Sequence, residues 1–262
     1  MNSLYLECNA GISGDMTVAA LLDLGADEKV LRDVLDSVPA DGFSIAISRV
    51  KKAGVDCCDF NVVLDKEHEN HDHDMAYLHG DETHSDHDHT EHTHHHHHEH
   101  RGLPEIREIM NHTQMTENAR SLALNIFEIL AKAEAKAHAT DIDHVHFHEV
   151  GAIDSIVDII AVAVCIDNLR IDKVYVPKLC EGMGTVRCQH GILSIPVPAT
   201  ANIMEAYQLP IEIMHVQGEF VTPTGAAIVA AIRTSEHLPE DYYIEQVGIG
   251  AGKREYEQPS LL

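Results

Sequence analysis

Apolar and polar positions change period several times along this chain. Leu4-Tyr5-Leu6-Glu7-Cys8 predicts a short strand, and Asn9 to Met16 a turn. Thr17 to Leu24 follows as a helix that Gly25 stops. Asp27 to Ser37 predicts a second helix. Phe43 to Val50 alternates as a strand, with Val55 to Leu64 as its hairpin partner around Lys52-Ala53-Gly54. Helical spacing returns at Glu105 to Met110 after Pro104, and again from Thr116 to His138. In the longer helix Leu122, Ile126, Ile129, Leu130, Ala133 and Ala137 form the core stripe. Ile153, Ile156, Val157 and Ile160 mark a helix from Ala152 to about Leu169. Lys173 to Pro177 predicts a strand, and 181–186 with 190–193 a hairpin or a loop on a sheet. Helices at Ala199 to Tyr207 and Ala226 to Arg233 alternate with strands at Ile211 to His215 and Tyr242 to Val247. This order predicts an α/β fold: a mixed sheet with flanking helices.

One stretch concentrates chemistry. His144, His146, His148, Glu149, Asp154 and Asp158 fall within a single short run. Read as extended chain, the three histidines point to one side. Gly151 breaks the extension, and Asp154 and Asp158 then lie four apart on one helix face. Imidazole and carboxylate together suit a borderline divalent metal such as nickel or zinc. A helix start also favours a nearby anion, so a phosphorylated ligand fits there as well. The competing reading is a surface strand followed by ordinary acidic residues at a helix start.

Two glycine-bearing turns lead into helices. Gly11, Ser13, Gly14 and Asp15 form the first, and Thr222, Thr224 and Gly225 belong to the second. Such turns leave backbone N–H groups free to meet a phosphate. Tight connection and helix capping by Thr222 or Thr224 are the structural alternatives. Asp15 either holds a cation or caps its helix. No Gly-Lys-Ser/Thr follows Gly14, so this is not a Walker loop. His190, alone beside a turn glycine, reads more readily as a structural residue, with a ligand contact as the alternative.

Composition narrows the partners. The chain has 262 residues, 44% of them apolar, and a formal net charge of -25. That charge disfavours nucleic acid and anionic membrane surfaces and favours cations. The six cysteines contain no CxxC pair and read as reduced thiols of a cytoplasmic protein. No apolar run is long enough to span a membrane.

His68 to His100 differs from the rest. It holds fourteen histidines, nine acids and no Lys or Arg. With almost nothing apolar to bury, it is expected to be disordered. Clustered neutral imidazoles, His94 to His98 (His94, His95, His96, His97, His98) above all, bind nickel, zinc or copper. An internal run that grades into His-Asp-His and His-Thr-Glu-His units reads as a metal-collecting loop; a solvated linker is the alternative.

Four groups of residues resemble the nickel-pincer cofactor biosynthesis family, the LarC-type nickel insertases. They are Gly11 to Met16 with Ala20 to Gly25; Ala133 to His138 with His146 to Asp158; His190-Gly191 with Pro196 to Thr200; and Glu219 to Ala227. The resemblance implies CTP-dependent insertion of nickel into a pyridinium bis-thiocarboxylate mononucleotide, giving the cofactor of lactate racemase. It implies Ni2+ at His146, His148 and Glu149, with Asp154 and Asp158 as ligands or close behind. Glu149 or His148 is, as the alternative to a place on the metal, the base. Gly11, Ser13, Gly14, Asp15, Thr222 and Thr224 are the expected contacts to the phosphorylated ligand. CTP with Mg2+ or Mn2+ is expected to need a companion domain or polypeptide, because the family pattern runs on past Leu262. Other lactate racemase pathway proteins and a second copy of the chain are the further expected partners. A nickel storage or delivery protein without catalysis is the rival reading.

The expected division is an N-terminal α/β part over 1–66 and the His-rich loop over 67–101. A main α/β part over 102–247 and a flexible glycine-bearing end over 248–262 complete it.

Overall fold

The computed structural model describes residues 2–65, 75, 78, 102–145, 153–188 and 190–262. The architecture is α/β with mixed strand pairing, as the pattern predicts. β1 (Asn2–Tyr5) pairs in parallel with β4 (Ile171–Tyr175), and β5 (Leu179–Met183) with β8 (Ile211–Gln217). A bridge from Cys8 to Leu179 links the two pairs. β2 (Phe43–Lys52) and β3 (Val55–Leu64) form an antiparallel hairpin, as do β6 (Thr185–Cys188) and β7 (Gly191–Ser194). The first hairpin turns where expected, with Ala53 and Gly54 both at positive φ.

The helices are α1 (Gly14–Asp23), α2 (Glu28–Leu35), α3 (Leu103–His112), α4 (Glu117–His138), α5 (Ile153–Asn168), α6 (Pro198–Tyr207) and α7 (Pro223–Ile232). Their starts follow local chemistry. Asp27 accepts from the N–H of Lys29 and Val30, Thr116 from Ala119, and Thr222 from Gly225. α4 ends where Ala139 turns left-handed and Thr140 N–H returns to the Ala135 carbonyl at 3.0 Å. That ending fixes His138 at the last helical position.

α5 is the centre of the core. Every residue from Ile159 to Ile166 is buried, as in a helix apolar on all sides. It packs against α1, α2 and α4. One consequence is decisive for function: Asp154 and Asp158, on the first turns of this buried helix, are drawn inward.

Four expectations change. The stretch 242–247 forms no strand, because Tyr243, Ile244 and Val247 stay exposed and its backbone is unpaired in any ladder. His144 closes a 3-10 turn over Ile142–His144 instead of extending a strand. The run beginning at His68 has something to bury after all: Leu78 is only 5% exposed and packs with Val186 and Val197. The glycines of 248–252 serve close packing, in an end expected to be flexible. A Cβ on Gly248 or Gly250 would overlap backbone carbonyls of α1, and Ala251 N–H bonds the Cys58 carbonyl at 2.8 Å.

Candidate functional site

The two glycine turns meet. Ile12 N–H donates to the Phe220 carbonyl at 2.9 Å, and Thr222 N–H to the Ile12 carbonyl at 3.2 Å. Only glycine permits the approach: a Cβ on Gly11 would overlap the Phe220 carbonyl, and one on Gly225 the Ile12 carbonyl. Glu181 holds this junction from beneath. Its Oε1 accepts from the N–H groups of Phe220 (2.7 Å), Gly182 (2.8 Å) and Val221 (3.2 Å). Burial pushes the Glu181 carboxyl up to about 7, against the pull of those N–H donors.

Above the junction opens a cavity of about 420 Å³. Four helix starts reach its wall: Gly14 of α1, Asp154 and Ser155 of α5, Pro198 of α6, and Pro223 and Thr224 of α7. Helix starts present unpaired N–H groups and the positive end of the helix dipole, which suits an anion. Arg187, Lys253 and Arg254 also line the cavity. Lys253 pairs with Asp59, and Arg254 with Glu219. Tyr256 donates to the Glu219 carbonyl at 3.1 Å, and its ring stacks on Phe220 at 4.6 Å.

Set into this wall are carboxylates. Asp15, 7% exposed, receives the Ser13 hydroxyl on Oδ1. Its Oδ2 has no hydrogen-bond partner among the described residues, and neither does Asp158 Oδ1. The backbone N–H of Asp15 bonds the Asp158 carboxylate. Asp158 keeps some surface open to the cavity but is surrounded by protein. Burial, then repulsion from Asp15 and Asp154, raise its pKa well above the usual carboxylate range, and Lys253 opposes the rise. Such a cluster is relieved by a cation or by a proton.

Of the residues expected at a site, Ser13, Gly14, Asp15, Asp154, Asp158, Thr222 and Thr224 line this one cavity. Gly11 supports the loop junction and is not in the wall. His146, His148, Glu149 and His94 to His98 lie outside the described residues. Among the described residues, no three His, Cys, Asp or Glu side chains are grouped to hold a metal by themselves. Sequence reasoning did not place Lys253, Arg254 and Tyr256 here, because their approach depends on the packing of 248–262. It also did not join His138 to His190, whose rings meet at 4.7 Å on the cavity wall. The only sequence hint was that both fall in groups of residues carrying the family resemblance.

The sequence model of a family described as "nickel insertion protein" matches residues 4–262. The chain belongs to the nickel insertion protein family. A relative from Alkaliphilus metalliredigens, named pyridinium-3,5-bisthiocarboxylic acid mononucleotide nickel insertion protein, is 50% identical over 100% of this chain and 59% of its own length. A protein of the same name from Clostridium acetobutylicum is 44% identical over 100% of this chain and 63% of its own. Another, from Acetivibrio thermocellus, is 40% identical over 97% of this chain and 58% of its own. The chain thus spans about three fifths of the length of these nickel insertion proteins. No solved structure matches it at a significant level. Among the described residues, no helix is long and apolar enough to cross a membrane.

Within this nickel insertion family member, the cavity offers two opposed chemistries on one wall. Helix starts and guanidinium groups suit phosphate, while the Asp15 and Asp158 carboxylates suit a cation.

Proposed function

We propose that this chain carries the metal-insertion cavity of an enzyme that places nickel in pyridinium-3,5-bisthiocarboxylic acid mononucleotide. The observation that supports the reading most is the pair Asp15 and Asp158, which line a cavity of mononucleotide size and each keep a buried oxygen without a hydrogen-bond partner among the described residues. The substrate's phosphate belongs at the helix starts, with Ser13, Gly14, Thr222 and Thr224 as contacts. Nickel, as the second substrate, is drawn by the carboxylates of Asp15, Asp154 and Asp158. His146, His148 and Glu149 remain the proposed metal ligands of the central stretch, and His94 to His98 the collecting loop.

The chemistry balances without an oxidant. The ring carbon between the two thiocarboxylates loses its proton to a base. The electron pair of that C–H bond becomes the nickel–carbon bond, and nickel stays divalent. Glu149 or His148, whichever does not hold the metal, is the proposed base. The protein's part is to align ring and metal and to hold the released proton. The product is then the nickel-pincer cofactor of lactate racemase, made in the cytoplasm.

A cavity of about 420 Å³ suits one such ligand. CTP with Mg2+ or Mn2+ is therefore assigned to a companion segment, and a homo-oligomer remains part of the reading. Calorimetric titration of CTP with magnesium tests this. Weak or no binding to these 262 residues is expected, with binding once the companion is added. Tight binding by the chain alone would return the nucleotide to the Gly11 to Asp15 turn. Replacing His148 with alanine should abolish insertion while bulk nickel uptake by the loop persists; unchanged turnover would remove the central stretch from the metal site.

A further inference from the structure

One buried acid takes no part in the insertion chemistry. Glu181, in β5, is 0% exposed, and it lies outside the wall of the cavity. Its Oε1 alone accepts three backbone N–H groups: Gly182 on its own strand, and Phe220 and Val221 on the turn that leads into α7. β5 slips register against β8 between Glu181 and Met183. Gly182 lets the turn come close, since a Cβ there would stand 2.0 Å from the Gly218 carbonyl.

What that oxygen holds reaches several parts of the cavity wall. Downstream of Val221, Thr222 caps α7 by accepting from Gly225 N–H at 3.1 Å, and Thr222 and Thr224 line the wall. Across the junction, the Phe220 carbonyl and the Thr222 N–H bond both sides of Ile12, the residue before Ser13 and Gly14. Upstream, Glu219 pairs with Arg254, and its carbonyl accepts from Tyr256. Phe220 and Val221 thus join three sets of wall groups. Buried N–H groups that share one acceptor leave their turn a single arrangement, because any other strands a donor at a cost comparable to a lost hydrogen bond.

We propose that Glu181 is a positioning residue for insertion: from beneath, it fixes the 220–222 backbone so that Thr222 and Thr224 meet the substrate's phosphate, a role that rests on the insertion reading above. What matters in this role is the place of one oxygen and not its charge. An amide of the same reach keeps that oxygen in place. A carboxyl one methylene shorter does not.

Calorimetric titration of the whole chain with the pyridinium-3,5-bisthiocarboxylic acid mononucleotide, without nickel, tests this at pH 6. There the parent's Glu181 carboxyl, pushed up to about 7 by burial, is mostly neutral like the amide. Glu181→Gln should bind within about threefold of the parent, and Glu181→Asp about tenfold or more weakly, the scale set by a misplaced contact group. The number of sites separates position from folding. A partly unfolded sample loses sites at unchanged Kd, whereas a misplaced turn raises Kd at full stoichiometry. The phosphate-free nucleoside should bind the parent and Glu181→Asp alike. Mononucleotide binding by Glu181→Asp at the parent's Kd would overturn the proposal and leave the insertion reading standing. Glu181→Gln binding as weakly as Glu181→Asp would also overturn it, since charge would then matter. So would a loss of nucleoside affinity as large as the loss of mononucleotide affinity. A parent chain that binds no mononucleotide would sink the insertion reading, and this role with it.

Discussion

Gly14 and Asp158 are in contact at the junction of two helices: a Cβ at Gly14 would stand 2.5 Å from Asp158 Oδ2. The start of α1 is thereby seated on the carboxylate of the buried helix. Glycine here serves the approach of one element to another. The same contact lets the Asp15 N–H reach the Asp158 carboxylate.

Gly14→Ala should therefore push α1 away from α5. The expected loss is about 1–3 kcal/mol, the usual range for overpacking a filled site. Urea denaturation would measure it, and nickel insertion should fall with it. A variant as stable and as active as the parent would mean that the two helices tolerate separation.

Nickel should raise the melting temperature through the cavity and not through the His-run. A ligand stabilises only if it prefers the folded chain, and a run expected to bind metal in both states contributes little. Asp158→Asn should lose most of the nickel-induced shift in a thermal melt while total nickel uptake changes little. An undiminished shift in that variant would put the stabilising metal elsewhere.

Glu181 gives the fold a pH dependence with a definite sign. Its folded pKa of about 7 lies above the ordinary value of 4.5. Between those values the folded chain holds a proton that the unfolded chain has lost. Stability from this group is thus complete below the lower value and falls as pH rises toward about 7. Glu181→Gln keeps an oxygen acceptor for Phe220 and Gly182 without the ionisation. Urea midpoints at pH 5 and pH 8 should differ less in the variant than in the parent. Equal differences would show that Glu181 is not the titrating group.

Removal of residues 79–100 should abolish most weak nickel binding and leave the fold intact, because Leu78 is retained. Leu78→Ala should cost about 2 kcal/mol or more, since it empties a small buried cluster with Val186 and Val197. Calorimetry counts the nickel, and circular dichroism reports the helices. A collapse of helix signal on removing 79–100 would show that the segment supports the core.

Much of this was legible in the chain because local rules agreed with the fold. Asp27, Thr116 and Thr222 signal helix starts by their side chains, and each caps its helix. The period-two runs of 43–52 and 55–64 specify the hairpin register residue by residue. Ser13, Asp15, Thr222 and Thr224 could be nominated because glycine turns announce helix starts. The errors share a cause: tertiary packing that no short window contains. Tyr242 to Val247 alternates like a strand but finds no ladder. Gly248 and Gly250 look like a flexible end, yet they let the chain press against α1. The pairing of His138 with His190 joins the end of α4 to a β-turn, and only the folded chain brings them to 4.7 Å.

The most direct test of the central claim is one assay on three chains. Wild type, Asp15→Asn and Asp158→Asn are each incubated with Ni2+, CTP, magnesium and the pyridinium bisthiocarboxylate mononucleotide. The portion that the longer relatives carry beyond this chain is supplied as a separate polypeptide. Product is followed by mass spectrometry as the gain of one nickel per precursor. Wild type should make the nickel complex, and each aspartate variant should make it at least about a hundredfold more slowly, the scale expected when a positioned charged or proton-handling group is lost. Wild-type rates from both variants would contradict the assignment of the reaction to this cavity.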